Sequence, residues 1–235
     1  MIPGNALVLE CPFCGAKKSL ISIASGNTCG GKLWSDTKAE YPMLPEPSPI
    51  QKCPECGKFY FINQAKSSIG DTCSFEEGEL SFEELKQAKR QFEDSFDINS
   101  KLDYKILLYI RLLYAYNDTY TRLEALSEAP QEDIITMEIM KLATKVVPIL
   151  KGEALPEAPQ EDISLITEIM NELLQVEKVD PILKGELLRE LGRFDESIEQ
   201  LKDVRINNPN MSWAIDAIID HARQKDRKPF VLNSY

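Results

Sequence analysis

The chain has 235 residues, is 43% hydrophobic and carries a formal net charge of −11, which suits one large or two small domains with a real core. Residues 1–75 hold seven Lys and Arg against six Asp and Glu, and the rest hold 20 against 32; an acidic body repels the phosphate polyanion, so nucleic acid is not expected as a partner, and the carboxylates read as solvated helix faces. No basic segment leads into a long apolar run, and no window nears the roughly 18 apolar residues of a membrane span, so a cytoplasmic protein without a membrane partner is expected.

In chain order, ALVLE at 6–10 reads as a strand, CPFCG at 11–15 as a tight hook and KSLISIA at 18–24 as a second strand. A long stretch follows, SGNTCGGKLWSDTKAEYPMLPEPSPIQ, whose PMLPEPSP end cannot be helical and suits extended surface chain, anchored by Trp34. The hook then returns as CPECG at 53–57, followed by a strand at KFYFI, 58–62. In each hook two sulfurs sit at the corner of a turn and the glycine permits the backbone conformation after the second cysteine. With no export signal and four of six cysteines in two Cys-x-x-Cys pairs, metal ligation fits better than disulfides.

These hooks resemble the zinc ribbon family over about residues 6–62. The resemblance implies one Zn ion per chain held by Cys11, Cys14, Cys53 and Cys56, with Gly15 and Gly57 closing the knuckles. The spacing departs from the commonest form, because 38 residues separate Cys14 from Cys53 where roughly 15 to 20 are usual. The hooks also resemble rubredoxin, in which four thiolates hold iron for one-electron transfer, and tetrahedral sulfur suits either metal. Zinc ribbons that associate with nucleic acid form a third possibility.

Other candidate chemistry is weak. Cys29 and Cys73 lack a partner hook or nearby histidine and read as free thiols, and His221, the only histidine, lies in the helical pattern SWAIDAIIDHARQ. GNTCGGKL at 26–33 imitates a phosphate-cradling loop, yet Leu33 stands where a hydroxyl should bind magnesium and no helix pattern follows. The glycines there read as turn residues, and an enzyme is not indicated.

Beyond residue 75 helical periodicity takes over. Ser81 with Glu84 forms a capping box ahead of FEELKQAKRQF, and Ser100 precedes the apolar pattern at 102–116. Two near-repeats follow: EAPQEDI at 128–134 returns at 157–163, and VPILKGEAL at 147–155 returns as DPILKGELL at 180–188. Such a period points to stacked helical units.

The last unit, residues 178–211, resembles a tetratricopeptide repeat through Gly192, Phe194, Ser197, Leu201, Val204 and Pro209. Asp180 and Pro181 supply its N-cap and first-turn proline, and Ser212 opens a final helix whose Trp213, Ile215, Ile218 and Ile219 can cap the stack. The resemblance implies a concave face that holds a protein or peptide partner, with Ile182, Glu186, Arg189 and Glu190 on it. The combination is similar to bacterial zinc-ribbon proteins with a repeat-like helical tail, a likeness that implies no activity. The expected architecture is mainly α with a small β metal-binding head: a zinc ribbon at 1–75 and a stack of antiparallel helix pairs at 76–235, acting as a non-enzymatic interaction or adaptor protein.

Overall fold

The computed structural model describes residues 2–70, 79–95, 101–121 and 157–234. Helices make up its bulk, and its strands form small antiparallel sheets. The chain divides into two compact units: Met1–Leu33, Lys38–Leu112 and Asn233–Tyr235 in the first, Trp34–Thr37 and Leu113–Leu232 in the second. The first unit thus runs past residue 75, to Leu112. Among the described residues no helix is long and apolar enough to cross a membrane.

In the first unit the strands are β1 (Ile2–Pro3), β2 (Ala6–Glu10), β3 (Lys17–Leu20), β4 (Ile23–Ser25), β5 (Lys32–Trp34) up to Leu33, β6 (Ala39–Glu40), β7 (Ile50–Lys52), β8 (Phe59–Phe61) and β9 (Lys66–Gly70). β2 lies between β3 and β9, with Leu9 opposite both Lys18 and Ser67. β7 pairs with β8. The expected strands at 6–10 and 58–62 are present, while 18–24 is broken into β3 and β4. β9 was not anticipated: its only large apolar residue, Ile69, is exposed, so the strand exists through its ladder with β2 and leaves no hydrophobic period to read.

Two helices complete this unit's packing. α1 (Phe82–Ser95) starts with the expected capping box: Ser81 N–H donates to Glu84 Oε2 at 3.1 Å, and Glu84 N–H donates to Ser81 Oγ at 3.3 Å. Its Phe82, Leu85, Ala88 and Phe92 are buried along one face. α2 (Leu102–Tyr120) begins beside the same ring cluster, where Phe61 stacks on Phe92 at 4.8 Å and on Tyr104 at 4.3 Å. Gln91 of α1 works like a strand residue, its Oε1 accepting from Phe59 N–H at 2.9 Å and its Nε2 donating to Phe59 O at 2.8 Å. A side-chain amide thus satisfies backbone groups of β8 that the β7 ladder leaves free.

The second unit contains the rest of α2 from Leu113, then α3 (Gln160–Gln175), α4 (Pro181–Glu190), α5 (Phe194–Asn207), α6 (Ser212–Arg223) and the start of β10 (Val231–Ser234). α4 starts as read, with Asp180 Oδ1 accepting from the N–H groups of Ile182 and Leu183 at 2.8 and 3.1 Å and Pro181 in the first turn. It ends at Gly192, whose φ of 80° is reached freely only by glycine. Gly192 N–H donates to Arg189 O and Arg193 N–H to Leu188 O, the paired closure of a Schellman turn. That turn brings α5 back against α4 so closely that Ser197 Oγ donates to Gly185 O at 2.7 Å.

Leu201 and Val204 of α5 join Ile215, Ile218 and Ile219 of α6 in one buried cluster. Trp213, expected to cap this core, is 41% exposed instead. The near-repeats at 128–134 and 147–155, Ser100 and Cys73 lie outside the described residues.

Candidate metal centre and buried helical cluster

Both hooks have the same local geometry. Cys11 N–H donates to Ala16 O at 2.8 Å and Gly15 N–H to Cys11 O at 3.0 Å; in the second hook Cys53 N–H donates to Lys58 O at 2.9 Å and Gly57 N–H to Cys53 O at 3.0 Å. Gly15 and Gly57 have φ of 74° and 70°, so a side chain at either position would be strained. β2 and β3 carry the first hook, β7 and β8 the second, and Lys18 Nζ bridges the two hairpins by donating to Gln51 Oε1 at 2.7 Å.

The hooks face each other. The sulfurs of Cys11, Cys14, Cys53 and Cys56 all lie within 4.8 Å of one another, with Cys11 to Cys56 at 3.8 Å and Cys14 to Cys53 at 3.6 Å. A tetrahedral centre with metal–sulfur bonds of about 2.3 Å has sulfur–sulfur edges of about 3.8 Å, so the spacing fits one ion. Cys11 and Cys53 belong to the buried cluster with Leu9, Leu20 and Tyr60, while Cys14 and Cys56 are exposed. Phe13 N–H points at Cys11 Sγ from 3.4 Å, a donor of the kind that steadies a thiolate.

The electrostatics agree. Burial raises the Cys53 thiol, but backbone N–H groups of Cys56 and Glu55 and the thiols of Cys56 and Cys14 outweigh it and bring the group down to about 7. At Cys14 the Ala16 backbone lowers the thiol, yet desolvation and the surrounding sulfurs carry it up to about 12. Four thiols this close cannot share negative charge without a counterion. A divalent cation at their centre stabilises thiolate at every corner, so these four residues are equipped to hold a metal ion.

The four residues expected on a concave partner face sit elsewhere. Ile182 is partly buried and packs against the α5–α6 cluster. Glu186 and Arg189 have no exposed surface, and Glu190 is 6% exposed. Arg189 Nε and Nη2 grip Glu186 at 2.8 and 2.5 Å, Nη1 and Nη2 donate to the carbonyls of Asp226 and Lys228, and the guanidinium lies 5.2 Å from the Phe230 ring. Residues 226–230 therefore cover the face of α4 that the repeat resemblance leaves open to a partner. His221 belongs to the same packing, its ring stacked on Phe230 at 3.6 Å and its Nδ1 2.8 Å from Asp226 Oδ2.

The segment between the hooks is also not simply surface chain. Trp34, Ser35, Asp36 and Lys38 are buried. Within the second unit Ser35 and Phe230 exchange hydrogen bonds, and Asn117 Nδ2 donates to Asp36 Oδ2 at 2.9 Å. Residues 36, 117 and 190 are brought together from far apart in the chain, and no spacing in the sequence announces the cluster. The phosphate-loop imitation is followed by strand β5, not a helix. Cys29 is an exposed free thiol.

Comparison with protein-family models, curated proteins and solved structures finds no match to this chain.

Proposed function

We propose that the chain is a non-enzymatic cytoplasmic interaction or adaptor protein whose head is stabilised by one structural zinc ion on Cys11, Cys14, Cys53 and Cys56. The observation that supports a metal there is the pair of hooks with matched hydrogen bonding that set four sulfurs at tetrahedral spacing. In a reducing compartment such a set remains available as thiolates for the metal. The adaptor reading is supported by the α4–α5 pair, whose Asp180 start, Gly192 turn and Ser197 contact have the pattern of a tetratricopeptide repeat. Exposed Ile206 and Trp213, on α5 and α6, offer apolar surface to a protein partner.

Metal analysis of the purified chain tests the first part. One zinc per chain, colourless, is expected, and Cys53→Ser should abolish retention and speed proteolysis within residues 2–70 while the helical circular dichroism largely persists. A red protein with a reversible one-electron wave would assign iron, and a fully folded chain that binds neither metal would refute both. For the second part, a partner recovered by affinity capture should be lost with Ile206→Ser combined with Trp213→Ala. Retention of that partner by the double variant would remove this surface from the proposal.

A further inference from the structure

The second unit contains a cavity of about 200 Å³. Ile163, Ile166 and Met170 of α3 line it with Glu190, and so do the cationic Arg227 and Lys228. Glu190 is the unusual member. It is buried, its Oε1 has no hydrogen-bond partner among the described residues, and its Oε2 receives only a long 3.5 Å contact from Asn117 Nδ2, which makes its shorter bond to Asp36. A buried carboxyl oxygen left unpaired is unfavourable unless something arrives to satisfy it.

Two neighbouring cations, Arg189 and Arg227, bond to groups other than the Glu190 carboxyl. Arg189 is taken by Glu186 and two carbonyl groups, and Arg227 Nε donates at 2.7 Å to the backbone oxygen of Glu190 and not to its carboxyl. Burial, then the carboxylates of Glu186 and Asp36, push the Glu190 carboxyl well above the usual range, against the pull of Arg189 and Asn117. An incoming anion would meet this acidic cluster. An incoming cation would supply what the site lacks.

We propose that this cavity binds a small protonated primary amine with an apolar body, its ammonium on Glu190 and its hydrocarbon part against Ile163, Ile166 and Met170. The size is suitable: an apolar protein cavity of about 150 Å³ holds benzene, and about a third more space admits a ring with a short aminoalkyl arm. One polar anchor in a mainly apolar wall is the usual design of a small-molecule site. The proposal is independent of the metal centre and of any protein partner.

The test is calorimetric titration of the full, metal-replete chain with 2-phenylethylamine, with 3-phenylpropanoate and propylbenzene as anionic and neutral controls of similar size. The amine should bind one to one and at least about tenfold more tightly than either control, the difference expected for one charge-assisted hydrogen bond. Glu190→Gln should weaken the amine by a similar factor with unchanged circular dichroism. Ile166→Trp, which fills the cavity and leaves Glu190 in place, should also block binding. No saturable amine binding at millimolar concentration overturns the proposal. So does equal binding of either control, or undiminished binding by a folded Glu190→Gln or Ile166→Trp protein.

Discussion

Gly185→Ala sets two known effects against each other. In a helix interior, replacing glycine by alanine by itself stabilises by roughly 0.5–1 kcal/mol, because the unfolded chain loses freedom. Here the new Cβ would lie 2.4 Å from both Cγ and Cδ2 of Leu201, where carbon atoms rest at about 3.5–4.0 Å. Leu201 is wholly buried among Val204, Ile215 and Ile218, so it cannot yield by more than an ångström without displacing them. Overpacking of this kind costs about 1–3 kcal/mol, and parting α4 from α5 also stretches the 2.7 Å bond from Ser197 to Gly185 O, worth about 1 kcal/mol. The clash wins, and a net loss of about 1–3 kcal/mol is expected. Urea unfolding followed by far-ultraviolet circular dichroism measures it. Leu201→Ala should cost about 2–5 kcal/mol alone, and the double variant should lose less than the sum because the alanine at 201 removes the atoms in conflict. A Gly185→Ala protein as stable as the parent, with strictly additive losses, would refute the close approach of α4 and α5.

Two further outcomes test the buried charges of α4. Arg189→Met leaves Glu186 buried without its partner and frees the carbonyls of residues 226 and 228, so it should cost about 3–5 kcal/mol in the same urea assay; a loss below about 1 kcal/mol would show the ion pair to be solvated. Glu190 tests the sign of a pH effect: its folded carboxyl is raised above the ordinary 4.5, so the unfolded chain ionises first and stability falls as pH rises from there toward the folded value, by up to about 1.4 kcal/mol per unit. Glu84 and Asp226 are lowered and contribute the opposite slope, but they are present in both proteins, so Glu190→Gln minus parent isolates the term. A difference that does not change as pH rises above the ordinary carboxylate range would contradict the burial of this group.

The parts legible in the sequence are those whose signals are local. A hook needs only five residues to state its turn, and Asp180, Pro181 and Gly192 mark the start and end of one helix within 13 positions. Features that depend on distant partners left no such mark. β9 is held by backbone pairing alone, Gln91 completes β8 from a helix over 30 residues away, and the burial of Trp34–Asp36 depends on Phe230 and Asn117. The grouping of α1 with the head follows from the Phe61, Phe92 and Tyr104 stack, whose rings lie in three separate segments.

The same distinction explains why the face of α4 reads one way in the sequence and another in the structure. At helical spacing Ile182, Glu186, Arg189 and Glu190 share one side of α4, and in an open repeat that side faces a partner. What spacing cannot encode is the return of residues 226–230, whose carbonyls give the Arg189 guanidinium the acceptors a partner would otherwise bring. Once that segment is seated, Glu186 is neutralised by Arg189, and Glu190, which lines the cavity beside α3, keeps a buried carboxyl oxygen without a hydrogen-bond partner among the described residues. Removing the cover without unfolding α4 would have to restore exposure of Glu186 and Arg189 together, because the ion pair and the segment that buries it share the same guanidinium.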